Sequence, residues 1–254
     1  MNRVYLDYNA SAPLREEARE AMVHAMALAG NPSSVHAEGR QARAVVETAR
    51  QQVAAALGAQ GADVIFTSGA TEAAGLALTG RGIRCADIEH EAVSSWCQSD
   101  LSCGLDGGVA CQAPGATALQ LANSETGILQ QLPDGLALCD MTQAFGKLPV
   151  AFHWSGATMA LVSAHKIGGP KGVGALIVKR GTEVAAQIKG GGQEMGRRSG
   201  TENVIGIAGF GAAAEAAQRD LADGVWEQVE KLRNILEKAV AQSAPETIFV
   251  GQGG

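Results

Sequence analysis

The sequence predicts an α/β protein in which a mostly parallel sheet lies between helices, and three observations carry that reading. From residue 63 onward, short apolar runs alternate with helical segments, as in the strand–helix–strand units of a parallel sheet. Amphipathic or small-residue-rich helical stretches flank this region on both sides. Glycine is abundant, at 33 residues, while aromatics make up only 4% of the chain. That balance suits helices packed closely on a sheet through tight turns. A sheet of this kind binds ligands beyond the carboxyl ends of its strands.

Taken in order, residues 14–29 (LREEAREAMVHAMALA) place Leu14, Ala18, Ala21, Met22, Ala25 and Met26 on one stripe, behind Pro13. Residues 38–57 repeat the pattern and stop at Gly58, a natural helix cap. GNPSSVH (30–36) between them is a turn-rich loop. The expected strands are 63–68, 83–88, 109–113, 118–123, 136–140, 159–164, 174–179 and 245–250, with a helix over 71–78. Two further helices are expected, one from residue 203 and the other from residue 225. The middle is compressed. APGAT alone separates the strands at 109 and 118, and about a dozen residues separate the next pair. A helical crossover needs at least ~10–12 residues, so the topology of 100–140 stays open.

Bulk properties narrow the function. The chain has 254 residues, 46% hydrophobic and 18% charged, ordinary for a globular protein with a substantial core. Its formal net charge of −6 and few aromatics argue against nucleic acid or an anionic membrane as partner. No apolar run approaches the ~20 residues that cross a bilayer. The five cysteines show no CxxC spacing, so no disulfide framework or metal site is expected, and a reducing cytoplasmic setting is the default.

Polar clusters follow the apolar runs. In SAHKIGGPKGVG (163–174), Ser163, His165 and Lys166 leave a strand for a glycine-rich turn. A lysine that is partly desolvated there can lose its proton and attack an aldehyde; a solvated surface lysine is the plainer reading. Lys171, with no hydroxyl or imidazole before it, reads as structural. In LALCDMTQAFGK (136–147), Asp140 can hold a cationic ring nitrogen, with Gln143 in reach of the same ligand, or simply cap a helix. In TSGATEAAG (67–75), a helix starts near Thr71, and its first N–H groups with the Thr hydroxyl suit a phosphate; a plain helix cap explains Thr71 and Glu72 equally well. His90 follows a strand in IEHEAV, where a structural histidine is the plainer reading, and GGGQEMGRRSGTEN either offers Arg197 and Arg198 to an anion or forms a mobile glycine loop.

Together with YLDYNASAP and GNPSSVH, these motifs and their order resemble the cysteine desulfurase family, of class V aminotransferase fold, from residue 4 to about residue 215. The resemblance implies the large domain of a pyridoxal-phosphate-dependent transferase, a mostly parallel mixed sheet of seven-stranded type, over 10–220. Residues 1–9 and 221–254 would then belong to an incomplete small domain. It implies pyridoxal 5′-phosphate as cofactor, with Lys166 bonding it covalently, Asp140 pairing with the ring nitrogen and Gln143 facing the phenolic oxygen. His90 would lie over the ring and move protons, while Ala70, Thr71, Ser163 and His165 would hold the phosphate. Thr201 would reach the phosphate of a second subunit, which implies a homodimer. Ser124 stands where the family usually has the second of two asparagines. The implied reaction converts L-cysteine to L-alanine and passes sulfur to an acceptor or scaffold protein, for iron–sulfur cluster assembly or thiolation. The family's catalytic cysteine and a carboxylate-binding arginine fall beyond residue 254. A related pyridoxal-phosphate lyase or aminotransferase, and a non-catalytic subunit, are the alternatives.

Overall fold

A computed structural model describes residues 3–251. Seven strands form one mixed sheet: β1 (Asp63–Thr67), β2 (Arg84–Ala86), β3 (Gln98–Leu101), β4 (Thr117–Gln120), β5 (Leu138–Asp140), β6 (Met159–Ser163) and β7 (Gly174–Val178). Their spatial order is β1-β7-β6-β5-β4-β2-β3. Only β7 runs antiparallel to its neighbours. The helices are α1 (Glu16–Met26), α2 (Ala37–Ala56), α3 (Ala70–Leu78), α4 (Glu91–Ser94), α5 (Val204–Ala222) and α6 (Val225–Ser243).

Alternation along the strands makes two cores, because successive side chains leave opposite faces. Phe66, Cys139, Ala160, Val162 and Ile177 face one way, toward Val46, Val53 and Phe210 of α2 and α5. Ile65, Leu138, Leu161 and Leu176 face the other way, toward α3. Phe210 meets Phe66 and Phe145 edge-on, with centroids 6.3 and 6.4 Å away. α2 buries Ala42, Val46, Ala49 and Val53 at helical spacing. Its close approach to α5 needs glycine, since a Cβ on Gly211 would stand 2.6 Å from the Ala49 Cα.

The mid-chain departs from the sequence reading in three places. Residues 109–113 form no strand, only an isolated Cys103–Val109 bridge, and the run is mostly exposed. Residues 245–250 form no strand either; Ile248 and Val250 are exposed. The edge strand β3 was not expected, since QSDL is mostly polar and exposed. β4 joins its parallel neighbour β5 through residues 121–137 without an α-helix; the loop folds back through an Ala122–Leu129 bridge.

Candidate active site

Register brings the polar clusters together. Gln120 ends β4 opposite Asp140, which ends β5. Gly174, on the reversed strand β7, pairs with both Thr67 of β1 and Ser163 of β6. The TSGAT turn therefore sits level with the SAHK turn, although 96 residues of sequence part Thr67 from Ser163. A Cβ on Gly174 would stand 2.7 Å from the Gly69 Cα, so the two turns meet this closely only because position 174 is glycine.

The result is a cleft of about 640 Å3 at the strand ends, within the usual range for a small-molecule site. Ala70, Thr71, His90, Ser124, Asp140, Gln143, Ser163, His165 and Lys166 all line it. Thr201 does not; it is exposed elsewhere on the chain. Lys171, expected to be only structural, lines the cleft as well. A larger hollow of about 850 Å3 lies between α2 and residues 192–195. There Arg50 is already paired with Glu194 at 2.8 Å, so this buried carboxylate is committed to the fold.

At one end of the cleft, α3 begins at Ala70 behind Gly69. The N–H groups of a helix's first turn have no intrahelical acceptor, and with the helix dipole they attract an anion. Ser163 is buried beside this turn, and His165 Nδ1 lies 3.3 Å from Ser11 Oγ. Burial and the positive charge of Lys166 lower the His165 pKa. Glu72, which could repel an anion here, is neutralised: it accepts from Ser68 N at 2.7 Å and pairs with Arg198 at 2.8 Å. Arg197 is paired with Asp63 at 2.7 Å. Both arginines thus have carboxylate partners, and neither lines the cleft.

At the other end, Asp140 Oδ1 accepts from Thr142 N at 2.8 Å. Burial raises the Asp140 pKa, while that hydrogen bond and the charge of Lys166 oppose the rise. A carboxyl group that lacks a close counter-ion suits a cationic partner. His90 Nδ1 accepts from Ala92 N at 3.0 Å and so caps α4. Lys166 is half-buried, and burial lowers its pKa against the pull of Asp140, Asp7 and Glu125.

Two contributors were missed by the sequence reading. The Asn9 carbonyl accepts from Lys166 Nζ and, at 3.0 Å, from Gln143 Nε2. Lys147 donates to Gln143 Oε1 at 2.6 Å, and its pKa falls to about 8 through burial and the charge of Lys166. The four-residue spacing of Gln143 and Lys147 was the available signal for the latter. No sequence signal marks a backbone carbonyl.

The comparisons with known proteins agree with this geometry. The Aminotransferase class-V profile matches residues 4–104 and 114–252, interrupted only in the compressed middle. A cysteine desulfurase of Frankia sp. is 37% identical over 96% of this chain and 70% of its own length. The chain belongs to the cysteine desulfurase family of class V aminotransferases. Among solved structures, a NifS-like protein from Rickettsia africae superposes with a TM-score of 0.90 at 30% identity, over 99% of this chain and 78% of that one. SspA in complex with cysteine superposes at 0.77 with 28% identity, over 84% and 72%. These likenesses establish the fold expected from the sequence, the mixed sheet of a pyridoxal-phosphate enzyme family.

Proposed function

We propose that the cleft binds pyridoxal 5′-phosphate and activates L-cysteine for desulfuration to L-alanine. The observation that carries this reading is the convergence of nine motif residues, from five separate strand ends or turns, on one cleft. The residues fit the group. A glycine-opened helix terminus with Ser163 and His165 suits a phosphate, a buried carboxyl without a counter-ion suits a pyridinium, and a partly desolvated amine suits an aldehyde. Bound there, the cofactor supplies an electron sink for the charge that develops on the substrate.

The chain's own residues supply the rest. Asp140 keeps the ring nitrogen protonated through a charge-assisted hydrogen bond. Lys166, its pKa lowered by burial, anchors the cofactor and exchanges protons. His90 moves a proton at the substrate, and Gln143 orients the ring oxygen. Ser124 is shorter than the family's usual asparagine and loosens the hold on the ligand. The structure of a relative with cysteine bound supports L-cysteine as substrate. Thr201 is exposed and outside the cleft, which supports a role toward the phosphate of a second copy in a homodimer with shared sites. The sulfur then passes to an acceptor or scaffold protein.

The test is spectroscopic. Protein loaded with pyridoxal phosphate should be yellow, and L-cysteine should change its visible absorbance at concentrations where L-serine does not. An equal response to both amino acids would direct the reading to a related lyase or aminotransferase. Failure to retain the cofactor would overturn it.

A further inference from the structure

Glu89 precedes His90 and takes no part in the chemistry above, yet it is one of the few buried carboxyl groups of the chain. It is 8% exposed. Its Oε1 accepts from Gln120 N at 2.8 Å, and its Oε2 has no partner among the described residues. No Lys, Arg or His of the described residues lies within ion-pair distance of it. Gln120 is the register partner of Asp140 on the adjacent strand, and it also lines the cleft. The Glu89 carboxyl is thus one strand from the carboxyl assigned to the ring nitrogen.

A sealed acid held against β4 and a half-buried one at the end of neighbouring β5 do not readily ionise together, because each charge raises the cost of the other. The surroundings decide which one keeps the proton. Asp140 opens onto the cleft and feels the positive charge of Lys166. Glu89 is sealed, with one N–H donor and no cation. The other titratable groups around it are Cys85 on β2, Cys139 on β5 and Cys97 after α4, none of them cationic. We propose that Glu89 and Asp140 form an acid pair that holds one proton, on Glu89, so that Asp140 alone presents negative charge to the cleft. Glu89 is then a positioning residue for charge, and its role toward the ring nitrogen rests on the cofactor reading above.

Burial, opposed by the Gln120 hydrogen bond and reinforced by Asp140, places its pKa at about 8. A folded pKa raised above the ordinary 4.5 contributes stability that is complete below about 4.5 and is lost as pH rises toward 8. The amide of Glu89→Gln imitates the neutral acid and removes this dependence. In cofactor-free protein, the unfolding constant of the wild type relative to Glu89→Gln should rise roughly tenfold per pH unit across that window, then level off. Asp140→Asn should move the upper end of the window to lower pH, which a merely structural Glu89 would not show. Difference infrared spectra of the wild type should show a protonated carboxyl band at pH 7 that Glu89→Gln lacks. That measurement stands even where a variant folds poorly. A flat stability difference, an upper end unmoved by Asp140→Asn, or an absent band would each overturn the proposal. None of these readouts uses the cofactor. Borohydride fixation of pyridoxal phosphate, a separate measurement, decides the cofactor reading.

Discussion

The backbone carbonyl of Asn9 accepts a hydrogen bond from the amine of Lys166. Asn9 lies on the YLDYNASAP segment, 157 residues from that lysine in sequence. The segment is held against the SAHK turn by Ala12 N to His165 O at 2.9 Å and Arg15 N to Gly168 O at 2.8 Å. It therefore forms one wall of the cleft and fixes where the Lys166 amine points.

The first prediction separates three amines in or near the cleft. Borohydride treatment of cofactor-loaded protein should fix pyridoxal phosphate to Lys166. Lys166→Ala should abolish the fixed adduct, while Lys171→Ala and Lys147→Ala retain it. Lys147 is the sharper control, since burial and Lys166 bring its pKa to about 8. Fixation that survives Lys166→Ala and disappears with either other variant would reassign the anchoring amine.

Asp140→Asn should still bind cofactor but slow exchange of the substrate α-proton. The amide forfeits the charge-assisted bond, a difference of roughly 1.5–3 kcal/mol. That corresponds to roughly a ten- to hundredfold loss of rate. Isotope exchange followed by NMR measures it, and an unchanged rate would remove Asp140 from the ring nitrogen.

Much of this site was legible because each functional side chain follows a short apolar strand. Asp140 stands directly behind LALC, and Ser163 closes MALVS, so position at a strand end alone aimed both at the same sheet edge. What escaped was information not written in side chains. Asn9 contributes a carbonyl, and β3 is held by backbone pairing to β2 while only Leu101 of its QSDL run packs on the core. The opposite error occurred at 109–113 and 245–250. There apolar, β-prone residues suggested strands, but neither segment pairs with the sheet, and both stay largely exposed. Local propensity is overridden wherever pairing partners are lacking.

A structural prediction concerns Glu194, whose left-handed backbone (φ 47°) and that of Met195 (φ 56°) are strained for residues with a Cβ. The turn is secured because Glu194, 6% exposed, accepts from Arg50 at 2.8 and 3.0 Å and from Phe66 N at 3.0 Å. Arg50→Ala leaves that carboxylate buried without its cation and should cost about 3–5 kcal/mol in urea unfolding. Arg50→Met combined with Glu194→Gln should recover part of the loss. A change below about 1 kcal/mol for Arg50→Ala would show that the pair contributes little.

The last prediction is that the protein of residues 1–254 does not release sulfur from L-cysteine at a useful rate on its own. Desulfuration needs a thiolate placed to attack the substrate sulfur, and thiolate reactivity depends on exposure and a favourable setting. All five cysteines lie among the described residues, and none lines the cleft. Cys139 is fully buried in the sheet core, and burial raises its pKa well above the ordinary range. Cys85 is also buried; its thiol is lowered to about 7 by a hydrogen bond from Cys97, but it lies inside β2 with no path to the cleft. Cys97 is raised by the same contact. Cys103 and Cys111 sit between β3 and β4, and neither lines the cleft. The cofactor-loaded protein should therefore respond to L-cysteine in its absorbance while producing alanine and sulfide only at background levels, with a reductant present. Adding an exogenous thiol, or a protein that carries a mobile cysteine, should raise the rate. Robust turnover without either would make one of the five cysteines the nucleophile, and replacing each with Ser in turn would identify it.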